Sequence, residues 1–423
     1  MNILYIDHYA GSTSMGMEFR PYYFAREWQK MGHKIRIIAA NYSHLRKSNP
    51  TVNNDFEIQC IDEVEFQWIK TRAYVGNGVA RAISIFQFCI KLWCMAPQIV
   101  KEFKPDVVIA SSTYPLDTYP AQRIKKFSSR LNNKGCKYIH EGHDIWPLTL
   151  TEIGGMSKKN PFVVLLSVAE RSAYRESDQI VSVLPNSVEH MLDNGLDDKK
   201  KFHYIPNGIF MEDWLSKANI DIEIPQEHKL VFDKLKEEHK FIVGYVGGHA
   251  LSNALDTLID AANMIKDNVN IAIVLVGNGV EKESLIDKVN ELSLTNVYFL
   301  SSVKKNEIPL ILEQMDVVYV ALKKSPLYRY GVCLNKLYDY MMAGKPIIYG
   351  VNAANNEVAE AEAGISIEAD DRRALVNAIT LMSKKSAEEM ITWSKNAHDW
   401  VRKERDYANL SKQFIQIIVD SKL

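Results

Sequence analysis

The stretch NKLYDYMMAGKPIIYG, Asn335 to Gly350, predicts a helix followed by a short buried strand. Gly344 is the residue type that commonly ends a helix, and the proline two positions later prevents its continuation. Asn335 is the predicted helix cap, which places Lys336 in the first turn and Asp339 one turn further along. Because a lysine there opposes the helix dipole, it is either an ordinary surface residue or the partner of a bound anion such as phosphate.

The composition is that of a soluble globular protein, with 47% hydrophobic residues, 24% charged residues and a net charge of −1. A length of 423 residues predicts two or three domains. The balanced charge gives no indication of nucleic-acid binding. The five cysteines form no CxxC pair, which argues against structural zinc and disulfides and favours a reducing compartment, the cytoplasm.

The N-terminus, MNILYIDHYAG, predicts a strand and not a signal peptide. Since no run of 18 apolar residues occurs, no membrane-spanning helix is expected. The apolar segment 79–103 predicts a long helix that packs in a core. Trp93 and the basic residues of this segment leave a second interpretation open, a helix that rests on a membrane surface.

The first half of the chain predicts a doubly wound parallel sheet. Its first unit is a strand at Asn2–Asp7, a glycine-containing loop, a helix at Met17–Lys30 and a strand at Lys34–Ala39. The loop is not a GxGxxG fingerprint, which argues against a dinucleotide site. We expect Gly16 and Arg20 to approach a ligand at the end of the first strand. The alternative for Arg20 is a surface salt bridge.

The segment EGHDIWP follows a predicted strand and brings three functional residue types together. His143 and Asp144 are suited to proton transfer with a hydroxyl group, and Trp146 offers a flat face to a sugar ring. In an open α/β sheet, such strand ends are where sites are built. The alternative is a His–Asp pair that satisfies only the loop backbone.

A second alternation of strands and helices begins at FIVGYVGGH, residues 241–249. Gly247 and Gly248 precede a helix, and Gly277 opens the GNG turn after the next strand. Such turns let backbone N–H groups meet a phosphate. We therefore expect an α/β fold of two Rossmann-like domains that face a cleft. The predicted boundaries are 1–205 for an acceptor domain, 206–385 for a nucleotide-sugar domain, and 386–423 for C-terminal helices that cross back to the first.

The order of several motifs resembles the retaining glycosyltransferases of the GT-B fold, family 4 type, over nearly the whole chain. The matching pieces are GHKIRIIAA, KPDVVIASS, HDIWP, IPNGIF, GYVGG, VLVGNG and NKLYDYMMAGKPII. The last piece is especially similar to a subgroup that adds N-acetylated amino sugars in bacterial surface-polysaccharide assembly.

This resemblance implies a UDP-sugar donor in the C-terminal domain. Asp339 matches the second acidic residue of a Glu–seven residues–Glu motif that binds ribose, whereas Gly331 stands where its first Glu would be. The Arg and Lys with which the family commonly binds the diphosphate, after the first strand of this domain, are missing here. Gly248, His249 and Asn253 stand near their places. The resemblance further implies that the diphosphate is bound by Lys336, Arg329 and the amides of Leu334 and Asn335. It implies that the uracil is bound by Ser302 and Val303.

The resemblance also places His143 and Asp144 on the acceptor side of the donor sugar, near Gly16, Arg20 and Trp146. We therefore expect transfer with retention to a lipid-linked or saccharide acceptor, without a metal or other cofactor. Lys336 would stabilise the departing UDP. The enzyme is expected in the cytoplasm, with peripheral contact to the inner membrane.

Two other functions share this architecture. A UDP-sugar epimerase would convert the sugar nucleotide without an acceptor. A non-catalytic nucleotide-sugar-binding protein would neither transfer nor hydrolyse the sugar, and the missing carboxylate at Gly331 keeps this alternative open.

Overall fold

A computed structural model describes residues 1–16, 19–76, 78–131, 135–215 and 223–420. The chain forms two compact units: Met1–Asn207 with the final helix, and Gly208–Asp406. The strands are β1 Asn2–Ile6, β2 Lys34–Ala40, β3 Glu57–Ile61, β4 Val64–Ile69, β5 Val107–Ala110, β6 Lys137–Gly142, β7 Gln179–Ser182, β8 Phe202–Tyr204, β9 Phe241–Val246, β10 Ile271–Val276, β11 Val297–Leu300, β12 Val317–Ala321, β13 Ile347–Gly350 and β14 Gly364–Ser366.

The α-helices alternate with these strands through most of both units. They are α1 Arg20–Lys30, α2 Val79–Phe103, α3 Thr118–Leu131, α4 Leu148–Glu152, α5 Pro161–Glu176, α6 Ser187–Asp193, α7 Met211–Leu215, α8 Gln226–Glu237, α9 Leu255–Met264, α10 Lys282–Glu291, α11 Ile308–Glu313, α12 Asn335–Met342, α13 Glu357–Glu360, α14 Arg372–Met382, α15 Ala387–Glu404 and α16 Tyr407–Asp420.

The first unit contains a sheet in the order β3-β4-β2-β1-β5-β6-β7-β8. Every strand pair is parallel except the β3–β4 hairpin at the edge, which was not expected from the sequence. Helices α2 and α3 pack together and share the core with β1, β2 and β5. The central strands are buried and apolar because helices cover a parallel sheet of this kind.

The second unit contains a fully parallel sheet in the order β11-β10-β9-β12-β13-β14. All six residues of β10 are buried, and apolar clusters cover both faces of the sheet. The predicted fold class, two Rossmann-like α/β domains, is therefore confirmed. The carboxyl ends of β11, β10, β9 and β12 lie side by side, which brings the loops after them together.

The last two helices belong to different units. Helix α15 packs against α12 in the second unit, whereas α16 packs against α1 in the first. The indole of Trp28 donates to the Ser411 carbonyl at 3.2 Å, and Phe414 meets Trp28 edge-on with ring centroids 5.2 Å apart. Apolar and aromatic contacts thus anchor the end of the described chain to the first unit.

Helix α1 begins at Arg20, after Phe19, and the Met17 predicted to begin it lies outside the described residues. Helix α2 occupies the predicted 79–103 segment. In the part of the chain that the structure describes, it is the one helix long and apolar enough to cross a membrane. The expectation of no spanning helix was based on the lack of an unbroken apolar run; α2 passes a test of length and composition, which the core helix of a soluble protein also passes.

Candidate functional site

Helix α12 begins at Asn335, and the residue that precedes it as the cap is Leu334, whose side chain accepts no hydrogen bond from the helix. The predicted cap at Asn335 is therefore wrong by one residue. The reason is that Leu334 has an extended backbone, so Asn335 is already the first helical residue and is exposed. Lys336 is the second helical residue, where backbone N–H groups have no acceptor within the helix. Gly344 follows the helix with φ of +61°, as a left-handed helix end requires.

The ammonium group of Lys336 is held by neutral groups. It donates to the Tyr245 hydroxyl at 2.9 Å and to the Asn253 side-chain oxygen, and it lies 4.9 Å from the Tyr245 ring centroid. No Asp or Glu among the described residues forms an ion pair with it. Burial lowers the pKa of Lys336 to about 8. The cation therefore lacks the counter-charge that a half-buried lysine usually has.

His249 lies beside this lysine in the loop after β9 and is fully buried. Neither of its ring nitrogens has a hydrogen-bond partner among the residues that the structure describes. Burial, and then the charges of Lys282 and Lys336, lower its pKa to about 4, so the ring is neutral near pH 7. The His249 imidazole is thus buried without a hydrogen-bond partner among the described residues, which is uncommon in a folded protein.

Two glycine loops approach each other closely around His249. A Cβ atom at Gly277 would lie 1.9 Å from the Gly247 carbonyl oxygen, and one at Gly279 would lie 2.2 Å from the His249 carbonyl oxygen. Only glycine permits this approach. Gly248 is exposed, with no atom within 4 Å of its added Cβ, so its backbone faces open space.

The loop after β11 completes this edge of the second sheet. The Ser302 hydroxyl accepts from the Asn278 side chain at 3.2 Å, and Val303 packs partly buried against the apolar core. The predicted donor residues Gly247, His249, Gly277, Ser302 and Val303 therefore follow three neighbouring strands.

Two other predicted donor residues, and the glycine that stands where a Glu was expected, lie on or near α12 in the sequence. Arg329 donates to the Pro326 carbonyl at 2.6 Å and lies over the Tyr330 ring, at the side of a shallow depression of about 560 Å³. Gly331 is buried and has φ of +102°, a backbone that disfavours a glutamate there. Asp339 is half-buried on α12, three residues after Lys336.

In the first unit, a buried carboxylate organises the predicted acceptor side. Glu141, at the end of β6, pairs with Arg20 at 2.9 Å and accepts from the Ser111 hydroxyl at 2.6 Å and from the Tyr5 hydroxyl. Although burial acts to raise it, Arg20 and His143 hold the pKa of Glu141 well below its usual range. Glu141 was not among the predicted site residues, although a Glu at the end of an apolar strand was a usable signal.

Arg20 does not take the predicted ligand contact in this structure. Its five N–H donors meet Glu141 and oxygens of the segment after β8, those of Ile205, Pro206 and Asn207. Because the side chain is 3% exposed and its donors are occupied, it acts in an ion pair, the alternative that the sequence left open. Gly16, the other predicted residue of the first loop, has φ of +79°, and a Cβ atom there would lie 3.3 Å from the Lys47 side chain.

His143 and Asp144 have separate surroundings. The His143 imidazole lies 2.6 Å from the Ser111 hydroxyl and 3.4 Å from the Glu141 carboxylate. Asp144 instead accepts from the Ile145 amide and the Thr149 hydroxyl at the start of α4, and burial raises its pKa. The proton exchange expected at Asp144 stays a prediction, since both of these hydrogen bonds engage the same oxygen, Oδ1. The carboxylate beside His143 is Glu141.

Trp146 presents its ring to a cation. The guanidinium of Arg81, from the first turn of α2, lies 5.4 Å from the Trp146 ring centroid and 5.2 Å from that of Tyr9. Arg81 also donates to the Tyr9 hydroxyl at 3.1 Å. This cation, together with Ser111, Tyr245 and Glu141, was absent from the predicted site because its partners are distant in sequence.

Comparisons with known proteins give matches for both halves of the chain. Residues 15–213 match the family described as Glycosyltransferase Family 4, and residues 240–385 match the family described as Glycosyl transferases group 1. No curated protein matches the sequence significantly. The matches to solved structures cover almost the entire chain.

HepE from Anabaena, solved in complex with UDP and glucose, is 14% identical with a TM-score of 0.67, over 99% of this chain and 100% of its own. Sucrose-phosphate synthase from Thermosynechococcus elongatus is 16% identical with a TM-score of 0.69, over 99% of this chain and 98% of its own. WaaG, a glycosyltransferase involved in lipopolysaccharide biosynthesis, is 14% identical with a TM-score of 0.64, over 99% of this chain and 100% of its own.

These structures share the fold, and the two family matches together span most of both units. The uncompensated cation at the start of α12 lies within the second match. The chain has the GT-B fold, and its two family matches show that it is a glycosyltransferase.

Proposed function

We propose that this enzyme transfers a sugar from a UDP-sugar to a lipid-linked or saccharide acceptor with retention of anomeric configuration. The observation that carries the donor assignment is Lys336, a half-buried cation without a carboxylate partner at a helix N-terminus. Such a position favours a negatively charged group because the positive end of the helix dipole points toward it. A nucleoside diphosphate supplies that charge.

The proposed donor contacts divide along the edge of the second sheet. Lys336, the amides of Leu334 and Asn335, and the Gly247–Gly248 loop hold the diphosphate. Ser302 and Val303 hold the uracil, and Asp339 holds the ribose. UDP is the proposed nucleotide because HepE, which shares the fold, was solved with UDP. Lys336 stabilises the leaving diphosphate as the glycosidic bond to UDP breaks.

On the acceptor side, we propose that His143 contacts the reacting sugar while Glu141 and Ser111 hold its imidazole. Arg329 is a second proposed diphosphate contact, and Trp146 and Gly16 border the acceptor. No metal is proposed, because the cation at the diphosphate is supplied by the protein. Treatment with EDTA is therefore expected to leave turnover unchanged.

The sugar is proposed to be an N-acetylated amino sugar, and the pathway to be the assembly of a bacterial surface polysaccharide. The motif around Asn335–Met342 supports the sugar class by its resemblance. WaaG, described as acting in lipopolysaccharide biosynthesis, supports the pathway as a structural neighbour. A lipid-linked acceptor places the enzyme at the cytoplasmic face of the membrane.

A thermal-shift comparison of UDP, GDP, ADP and TDP tests the donor class. At a hundredfold excess over Kd, UDP is expected to add about 2.7 kcal/mol of stability, which raises the melting temperature by roughly 5 °C or more. The Lys336→Met variant is expected to lose this shift. Stabilisation by GDP alone would overturn the assignment, and UDP-sugar conversion without any acceptor would indicate an epimerase instead.

A further inference from the structure

The four residues before α12, Gly331 to Leu334, form a segment that leads directly to the amides proposed for the diphosphate. Gly331 has no side chain that could hold this segment, and Leu334 has an extended backbone and makes no side-chain hydrogen bond to the helix. Val332, between them, is 6% exposed and packs in the apolar core of the second unit. The path of the segment into α12 therefore depends on groups from other parts of the chain.

The peptide groups on both sides of Val332 bond to one side chain, that of Asn355. The Val332 N–H donates to Asn355 Oδ1 at 2.9 Å, and Asn355 Nδ2 donates to the Val332 carbonyl oxygen at 2.9 Å. The side-chain amide thus exchanges two hydrogen bonds with one residue, as opposed residues of paired strands do. This two-point contact fixes the orientation of the peptide groups of Val332 as well as their position.

Asn355 belongs to the loop between β13 and α13, and two other asparagines fasten this loop. Asn352 accepts from the Ala369 amide at 2.8 Å. Asn356 precedes α13 as its cap and accepts from the Ala359 amide at 3.0 Å. These two bonds go to residues outside the 331–334 segment, so the loop that presents Asn355 is held independently of that segment.

Glu357, two residues after Asn355, connects the same part of the chain to α12. Its carboxylate is buried and accepts from the Tyr338 hydroxyl at 3.1 Å and from the Arg405 guanidinium at 2.7 Å. Tyr338 lies on α12, and its hydroxyl is 3.5 Å from the Cys333 thiol. Residues 355–357 therefore contact both the segment before α12 and the helix itself.

We infer that Asn355 is a positioning residue for the donor: by holding Val332, it keeps the amides of Leu334 and Asn335 directed at the diphosphate. The inference rests on the proposed UDP site and deepens it, because it names the group that fixes these amides. Amide donors bind a phosphate well when they are held in place before it arrives, and a displacement of about 1 Å weakens the contact.

Binding of UDP and of uridine to the full chain tests the inference. Asn355→Ala is expected to weaken UDP binding about tenfold in calorimetric titration, which is the magnitude of one lost charge-assisted hydrogen bond. Uridine, which lacks the diphosphate, is expected to bind the parent and Asn355→Ala equally in an NMR titration. Asn355→Gln keeps the amide on a side chain one methylene longer, and its UDP affinity is expected to lie between the two.

Asn352→Ala is the matched control, because it removes an asparagine of the same loop whose side chain bonds to Ala369 and Glu368. It is expected to bind both ligands like the parent chain. Thermal unfolding checks that each variant is folded, and Asn355→Gln replaces Asn355→Ala if the latter is not. Hydrogen exchange reports the two-point contact itself, since the Val332 amide should exchange at least tenfold faster in Asn355→Ala.

The results that would overturn the inference differ from those that would overturn the donor assignment. Unchanged UDP affinity in a folded Asn355→Ala protein, or an equal loss of UDP and uridine affinity, would overturn the inference while the proposed donor stands. If the parent chain binds neither UDP nor uridine, the donor assignment fails, and the inference fails with it.

Discussion

Two charged clusters at the strand ends of the two units differ in how their charges are compensated. In the first unit, Glu141 and Arg20 pair while fully buried, and hydroxyl groups of Tyr5 and Ser111 satisfy the carboxylate further. In the second unit, the ammonium of Lys336 meets only a phenol and an amide oxygen, and the neighbouring His249 has no partner among the described residues.

We take this difference in charge compensation to separate a structural role, for the Glu141–Arg20 pair, from the proposed binding role of Lys336. A buried charge with its partners in place holds strands and loops together, because removing either partner leaves the other unpaired. A buried charge without a counter-charge lowers stability unless a ligand supplies one. The Glu141–Arg20 pair therefore supports the loop that carries His143, whereas the Lys336 cluster is the proposed site of a negatively charged ligand.

The largest expected effect is a loss of stability when the Glu141–Arg20 pair of the first unit is broken. Glu141→Ala leaves the Arg20 guanidinium buried without its partner, which is expected to lower the free energy of unfolding by about 3–5 kcal/mol. Urea unfolding measures this, and Glu141→Gln, which keeps hydrogen-bonding oxygen and nitrogen atoms, should lose less. The control Glu176→Ala removes an exposed ion pair with Arg175 and is expected to change stability by about 0.5 kcal/mol or less. A loss below about 1 kcal/mol for Glu141→Ala would remove the contrast with Lys336.

The next largest effect is a loss of turnover when Lys336 is replaced. Lys336→Met is expected to lower kcat by about 10²–10³-fold, the range found when one charge-stabilising group is removed from an active site. The free energy of unfolding should stay unchanged or rise, because an uncompensated cation is lost. Steady-state kinetics with a UDP-sugar and urea unfolding measure the two quantities.

Lys323→Met is the matched control, since Lys323 lies in the same unit but is paired with Asp256 and Asp370. It is expected to keep nearly full turnover. Normal turnover in a folded Lys336→Met protein would show that this cation does not serve the reaction.

A smaller effect is expected from pH. Burial depresses the pKa of Lys336 to about 8 from 10.5, so the free enzyme carries this charge below pH 8 and loses it above. A bound diphosphate favours the charged form, which raises this pKa in the complex. Affinity for UDP is therefore expected to be constant from pH 7 to 8 and to fall by up to about tenfold per pH unit above it. Calorimetric titration measures the affinity, and a Lys336→Met protein should show no such slope.

The pH dependence of folding stability has the opposite sign to that of UDP affinity: stability rises as Lys336 loses its proton. Because the folded-state pKa of Lys336 lies below the unfolded value, the unfolded chain binds the proton more strongly between about pH 8 and 10.5. The cost of burying the charge is thus present below pH 8 and is relieved as pH rises through this window. If the free energy of unfolding of the Lys336→Met protein still rises between pH 8 and 10.5, the rise belongs to another titrating group.

The smallest effect concerns Gly331. Its φ of +102° is expected to make Gly331→Ala less stable by about 1–2 kcal/mol, because a Cβ atom disfavours this backbone. Turnover per folded molecule should stay near that of the parent. If Gly331→Ala were as stable as the parent chain, backbone conformation would not explain why the family's carboxylate is absent there.

Local signals were sufficient to predict the two parallel sheets, the glycine loops and the end of α12 at Gly344. Each depends on residues that are close in sequence, such as apolar runs, turns and helix ends. The hairpin β3–β4 was missed, and the cap of α12 was placed one residue late. Backbone conformation at a helix start is decided by what packs around it, which local patterns do not contain.

For the candidate site too, some features could be predicted from local sequence and others could not. The order of residues already indicated Lys336, the Gly247–Gly248 loop and the EGHDIWP segment, because residue type and position relative to a strand or helix end are local properties. Tertiary structure alone decided which charges are compensated: it paired Arg20 with Glu141, 121 positions away, and gave Lys336 the neutral Tyr245, 91 positions away. Charge compensation depends on distance in space, so folding gave one cluster a complete set of charged partners and gave Lys336 neutral partners only.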